Sequence, residues 1–196
     1  MIKKLSYIFG SKTKAQEIML LINNAKKVVR HGFYESELPR VQKFCHEQHL
    51  YVVRSKFKVL FADDELYSNK GIRIKESDPR LGMYLVYISA NEEQAWLASY
   101  YEMMNNHRDL GKILGYPTCC VDFFCQNFSS KNPNLQGKAT NMFTNITQRD
   151  KDAVLLSHFP CSSDCQQSMV LGKKYLDTLI KIDKSRAVEL MEALKV

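Results

Sequence analysis

The chain has 196 residues, with 28 lysines and arginines against 21 aspartates and glutamates, a formal charge of +7. Hydrophobic residues make up 45% and charged residues 25%, the balance of a globular chain and not of a fibrous or disordered one. That length can bury a core without disulfide staples, and no apolar run is long enough to span a bilayer, so no membrane partner is expected. The basic pairs Lys3-Lys4, Lys26-Lys27 and Lys173-Lys174 are scattered. Solvated lysine therefore explains the charge as simply as a polyanion such as RNA does.

The apolar stretch from Leu5 to Phe9 is too short for the hydrophobic region of a signal peptide and is flanked by lysines. It points to a cytoplasmic protein, where thiols stay reduced and clustered cysteines lean toward metal or redox chemistry. Residues 11 to 30 read as one helix. Ser11 caps it, Ala15, Ile18, Ile22, Ala25 and Val29 recur at helical spacing, and His31-Gly32 ends it. Pro39 suits the first turn of a second helix reaching about His49. In that helix Cys45 and His49 share a face as a candidate metal pair, but Val41, Phe44 and Cys45 also form an apolar face that explains the cysteine as core.

"LYVVRSKFKVLFA" reads as two strands or a hairpin around Arg54-Ser55, and "GIRI" as a short strand. "MYLVYIS", residues 83 to 89, is the strongest strand signal, and its near-continuous apolar character predicts burial on both faces. Asn91 opens a helix, with Gln94 completing a capping box and Trp96, Leu97, Tyr100, Tyr101 and Met104 as its apolar side. After His107, which is either a general base or a loop histidine, "RDLGKIL" forms a short helix that stops at Gly115. From there the chain reads as helical to its end, interrupted by the polar loop 129 to 138. Helices, then strands, then many helices predict an α+β fold: a small, mainly antiparallel sheet in the first half packed by helices, and a helical second half. One domain over 1–196 is expected, with a helix and sheet part over 1–90 and a helical part carrying the cysteine motifs over 91–196.

Four of the six cysteines stand behind two similar openings, "GYPTCC" at 115 to 120 and "HFPCSSDC" at 158 to 165. In each, an aromatic residue and a proline precede cysteine. Gly115 ends one helix, Pro117 blocks its continuation, and Thr118 can cap the next, which places Cys119 and Cys120 in a first helical turn. On a helical wheel Val121, Phe124, Cys125 and Phe128 share an apolar stripe, so Cys125 is assigned to the core and Cys119 to the opposite side, beside Asp122 and Gln126. Asp122 could orient a ligand, although a carboxylate in a first turn is already explained by the helix dipole. In the second element Pro160 breaks the preceding segment, and Ser163 with Gln166 makes a capping box. Cys161 then lies at the mouth of a helix and Cys165 one turn inside, with Met169, Leu176 and Ile180 on the apolar side further along.

Two helix N-termini would thus present thiols where unsatisfied amides and the helix dipole favour thiolate. Cys119, Cys120, Cys161 and Cys165, with His158 as a further candidate ligand, suit zinc or an iron–sulfur cluster. With only three protein ligands an open position would remain for a small-molecule substrate, and the centre could serve an enzyme as Lewis acid or electron carrier. Spacings of C-C and C-x-x-x-C are not those of a zinc ribbon or a ferredoxin. Two other readings therefore stay open: a metal-free thiol and disulfide redox protein, and an RNA-associated module with structural cysteines. Walker, G-x-G-x-x-G, G-x-S-x-G and H-E-x-x-H motifs are absent.

"LGKILGYPTCCVDFF" followed by "HFPCSSDCQQS" resembles the prokaryotic family called domain of unknown function 483. Gly115, Tyr116, Pro117, Cys119 and Cys120 match its first element. His158, Pro160, Cys161, Ser162 and Cys165 match its second. The resemblance covers roughly residues 92 to 180, and it implies the paired cysteine elements without implying an activity.

Overall fold

The computed structural model describes residues 1–61, 71–129 and 131–196. Its first helix, α1 (Ile2–Phe9), closes at Gly10, and α2 (Lys12–Ile22) follows at once. The Ser11 side chain accepts a hydrogen bond from the Lys14 amide at 3.0 Å, which is the expected cap. The expected helix to residue 30 is corrected here. It stops at Ile22, and β1 (Val28–Phe33) takes over. Asn24 turns with a φ of 58°, and the β-branched pair Val28-Val29 enters the sheet. His31-Gly32 is therefore no helix stop: both residues pair with β4 (Met83–Ser89).

Pro39 lies in the first turn of α3 (Leu38–Glu47), as its fixed φ allows. The next run forms one long strand, β2 (Tyr51–Phe61), instead of two, and the Ala62 that ends the quoted stretch lies outside the described residues. Its pairing with β4 shifts register between Arg54 and Lys58. At that step the Ser55 hydroxyl donates to the Phe57 carbonyl at 2.6 Å and accepts from the Leu85 amide at 3.1 Å. A side chain thus fills the gap in the ladder, so the strand bends without breaking. With β3 (Gly71–Lys75) the described residues form a sheet of four strands in the order β1-β4-β2-β3, and each of these pairings is antiparallel. The fold is α+β.

Central β4 is buried on both faces, as its apolar run predicted. Tyr84, Val86 and Ile88 face one apolar cluster, which also takes in Ile2, Phe9, Ile18, Val41, Cys45 and residues as late as Leu194. Leu85 and Tyr87 face another, beneath α4 (Glu92–Met103) and α5 (His107–Ile113). Cys45 is core, and His49 is exposed. Asn91 caps α4 by accepting from the Gln94 amide at 3.0 Å. The expected apolar side of α4 packs only in part: Leu97 and Tyr101 are half-buried, with Tyr101 against the second cluster. Ala95, Ala98 and Glu102 are buried, while Trp96 is 55% exposed and Tyr100 and Met104 are also exposed. Close helix–sheet approach favours alanine, and Glu102 pairs there with Arg30 and, at 2.8 Å, with Arg73.

The last part of the chain holds α6 (Thr118–Asn127), α7 (Gln166–Ile182) and α8 (Lys184–Ala193). The expectation of a nearly all-helical second half is corrected: between α6 and α7 the described backbone is irregular, yet it buries Leu135, Ile146, Ala153 to Leu156 and Phe159. Polar side chains satisfy its amides in place of a helix ladder. Asn141 Oδ1 accepts from the Phe143 amide at 3.0 Å and the Thr144 amide at 3.2 Å, and Asn145 Oδ1 accepts from the Thr147 amide at 3.0 Å. Gly172 of α7 allows this segment to press close, since a Cβ there would meet the Phe143 carbonyl oxygen at 2.8 Å. No helix among the described residues is long and apolar enough to cross a membrane.

Candidate metal centre

Gly115 adopts a φ of 77°, which ends α5 and redirects the chain through Tyr116-Pro117 into α6. Pro117 is the residue before the helix, so Thr118 is its first helical residue and not its cap. Cys119 and Cys120 follow in the first turn, as the motif predicted. The second motif differs from its expectation. α7 begins only at Gln166, Cys165 is the residue immediately before it, and Cys161 lies in the turn that leads in. The Ser163 and Gln166 capping box does not form; the Cys165 amide donates to the Ser162 carbonyl at 3.2 Å instead. Of the expected apolar side of α7, Leu176 is buried and Met169 half-buried, but Ile180 is exposed.

The tertiary structure brings both motifs to one place. The sulfurs of Cys119, Cys120, Cys161 and Cys165 all lie within 4.8 Å of one another. Cys165 Sγ stands 3.6 Å from Cys119 Sγ and 3.6 Å from Cys120 Sγ, and the vicinal pair is 3.9 Å apart. Cys120 and Cys165 are buried, while Cys119 and Cys161 are half-buried. Two hydrogen-bond partners converge on Cys120: the Cys161 amide at 3.4 Å and the Ser168 hydroxyl at 3.2 Å. The Cys119 thiol faces Gln167 Oε1 at 3.8 Å. Cys125 is apart from this group and exposed, which corrects its assignment to the core stripe. Val121 is the buried member of that stripe, and Phe124 stacks on Phe128 at 4.6 Å.

Thiols this close do not titrate independently. Burial opposes ionisation of Cys165, but hydrogen bonds from the Ser168 hydroxyl and amide and from the neighbouring thiols carry it down to about 7. Burial and its role as donor to Cys165 push Cys161 up to about 11. Burial likewise pushes Cys120 up, although Ser168 and the Cys161 amide pull the other way. One negative charge is accommodated, and each further one is resisted by the first.

His158 is not a member of the sulfur group. Its Nε2 is 2.9 Å from Ser168 Oγ, so it touches the site through that hydroxyl. Burial, then the nearby Lys26 and Arg149 charges, lower its pKa to about 3, and the ring is neutral at ordinary pH. Its face lies 5.0 Å from the Tyr116 ring, and its carbonyl accepts from Arg149 at 3.2 Å. Behind Tyr116 stands a buried ionic cluster. The Tyr116 hydroxyl donates to Ser157 Oγ at 3.3 Å, and Lys26 Nζ donates to the same oxygen at 3.1 Å and to Glu17 at 2.6 Å. His31 Nε2 is 3.0 Å from the other Glu17 oxygen.

His107 is the first residue of α5, edge-on to Phe124 at 5.8 Å, and Asp122 pairs with Arg108 on the surface. Neither joins the sulfur group. Sequence reasoning overlooked Ser168, although its spacing from Cys165 offered a signal: three residues along a helix is one turn, hence the same face.

No curated protein and no solved structure matches the chain. Residues 95–195, which contain both cysteine motifs and α4 to α8 almost entirely, match the family described as "Protein of unknown function (DUF483)". The match spans more than half of the 196 residues, and the chain belongs to that family.

Proposed function

We propose that this protein binds one tetrahedral metal ion, zinc by preference, through Cys119, Cys120, Cys161 and Cys165. The spacing of the sulfurs carries the reading. Four ligands at about 2.3 Å from a zinc ion stand about 3.8 Å from one another along the edges of a tetrahedron. The separations among Cys119, Cys120 and Cys165, 3.6, 3.6 and 3.9 Å, fit that edge, and Cys161 Sγ lies within 4.8 Å of each of them. In a four-iron cluster each cysteine ligates a different iron, so its sulfurs spread wider than ligands of a single ion do. The donor chemistry agrees: four soft sulfurs, two of them buried, suit zinc or a lone iron and not a hard cation. Zinc would also offset the burial, and the smaller repulsion from Cys165, that keep Cys120 and Cys161 protonated.

Four protein ligands close the coordination sphere, which favours a holding role over Lewis-acid chemistry. The ion would tie the start of α6, the turn at 158–165 and the start of α7, segments that share no backbone ladder. Assay of zinc, iron and acid-labile sulfide in protein purified without air tests this. One ion per chain without sulfide is expected. Iron with matching sulfide overturns the single-ion reading, and metal-free protein removes it.

A second reading draws on the same contacts. Sulfur pairs at 3.6 Å with one thiol lowered to about 7 are also poised for thiol–disulfide exchange. Metal-free protein whose intact mass under non-reducing conditions falls by two hydrogens would favour it.

A further inference from the structure

Resting on the single-ion reading, we propose that Ser168 is a positioning residue of the sulfur site: its hydroxyl donates to the Cys120 thiolate, and His158, donating through Nε2–H, holds that hydroxyl in place. Ser168 has 0% exposure and lies one turn beyond Cys165 on α7. A buried hydroxyl has one proton to give, and here it has three neighbours, Cys120 Sγ at 3.2 Å, His158 Nε2 at 2.9 Å and the Cys165 sulfur. A metal-bound cysteine is deprotonated and can only accept. The hydroxyl proton must then point at sulfur, and the oxygen must accept from the other side. Only a protonated Nε2 can donate there. In a neutral ring the remaining nitrogen, Nδ1, is then bare. Metal loading thus dictates both the orientation of the hydroxyl and the tautomer of a histidine that does not touch the ion.

The surroundings hold the ring in the pose this requires. His158 is 6% exposed, Tyr116 covers its face, and Arg149 ties its carbonyl. Tyr116 is in turn anchored through Ser157 to Lys26 and Glu17. The same arrangement ranks the four sulfurs. Cys120, with the Ser168 hydroxyl, the Cys161 amide and 2% exposure, and Cys165, with the Ser168 amide and hydroxyl and 7% exposure, are the anchored ligands. Cys119, half-buried and facing only the Gln167 amide beyond its fellow sulfurs, is the one most readily displaced.

The test uses the full chain loaded with zinc. Competition against a chromophoric chelator should show Ser168→Ala weakened about 10- to 100-fold, the usual range for loss of an outer-shell partner. Ser162→Ala serves as control: that serine is exposed, its hydroxyl forms no bond among the described residues, and it should retain wild-type affinity. In the cobalt-substituted protein, loss of the hydrogen bond raises the energy of the sulfur lone pair, so the sulfur-to-cobalt charge-transfer band of Ser168→Ala should move to longer wavelength. Wild-type affinity and an unmoved band in Ser168→Ala would overturn the proposal. A measurement on the unsubstituted protein stands if that variant fails to fold. Nitrogen-15 NMR of the histidine rings should find His158 protonated at Nε2 in the zinc form. A zinc form protonated at Nδ1, or with Nε2 bound to the ion, overturns it. Failure of the wild-type chain to bind zinc at all would bring down the single-ion reading as well, which separates the two outcomes.

Discussion

Two buried polar clusters lie on either side of Tyr116, and they are built on opposite plans. Around Lys26 the charges cancel within the protein: the Glu17 carboxylate accepts a hydrogen bond from the Lys26 ammonium at 2.6 Å and faces His31 at 3.0 Å. Burial by itself would push the Glu17 pKa up, yet Lys26 and His31 hold it well below the usual carboxylate range. Around Cys120 the groups are all of one kind. Their contacts are with each other, with the Ser168 hydroxyl, with Gln167 and with the amides of Cys161 and Ser168. The first cluster pairs its opposite charges within the chain, although His31 Nε2 makes no well-aligned hydrogen bond. The second is a set of like donors whose full ionisation requires a cation from outside the chain. Burial of polar groups therefore signals a ligand only when the groups do not satisfy one another.

That contrast can be broken most decisively at the sulfurs. Cys161→Ala or Cys165→Ala should reduce metal content from one ion per chain to nearly none, measured by elemental analysis. Cys45→Ala, in the core of α3, should keep the full complement. Full metal content in the first two variants would end the comparison. The ionic cluster should respond next, and in stability alone. Glu17→Gln leaves the buried Lys26 charge without its partner, at a cost of about 3–5 kcal/mol in denaturant unfolding, with metal content unchanged. Replacing Glu17 and Lys26 together with apolar residues should cost less than that single change.

Chelation comes third. With free zinc at 100 times the dissociation constant, removing the ion forfeits about 2.7 kcal/mol, hence about 5–11 °C in melting temperature for a chain of this size. No shift would mean that the ion does not clamp α6 to α7. A more gradual effect is pH dependence in the metal-free protein, where protons do not compete with zinc. His158 has a folded pKa of about 3, below its unfolded value. The unfolded chain therefore takes up the proton first. Stability is fully present above about pH 6.5 and is lost as pH falls toward the folded value, with a slope up to about 1.4 kcal/mol per pH unit. His158→Gln should flatten that slope. The smallest change is expected from Cys125→Ala, which is exposed and outside the sulfur group, and should alter stability by less than about 0.5 kcal/mol and metal content not at all.

Local chemistry was legible wherever it acts over a few residues. Ser11 and Asn91 cap the helices they were expected to cap, because a short side chain reaching an amide three residues on is a local bond. The apolar run of β4 predicted a strand covered on both faces, and the two cysteine motifs predicted thiols where helices begin. Misreadings arose where two local patterns competed. Ala25 and Val29 fit the helical period of α2, but the turn at Asn24 and the β-branched Val28-Val29 belong to the sheet. The irregular stretch before α7 looked helical because the bonds that replace its ladder come from Asn141 and Asn145 side chains.

By itself, then, the sequence determined which residues carry sulfur, that the chain turns at Gly115 to end a helix, and that residues 83–89 form a strand buried on both faces. Those properties follow from covalent structure and from bonds between near neighbours. Only the tertiary structure decided that Cys125 faces water, that the alanines of α4 are buried while Trp96 and Tyr100 are exposed, and that four sulfurs from two distant segments meet beside Ser168. Exposure and convergence depend on what lies opposite a side chain, and a helical wheel holds no information about the other side of the gap.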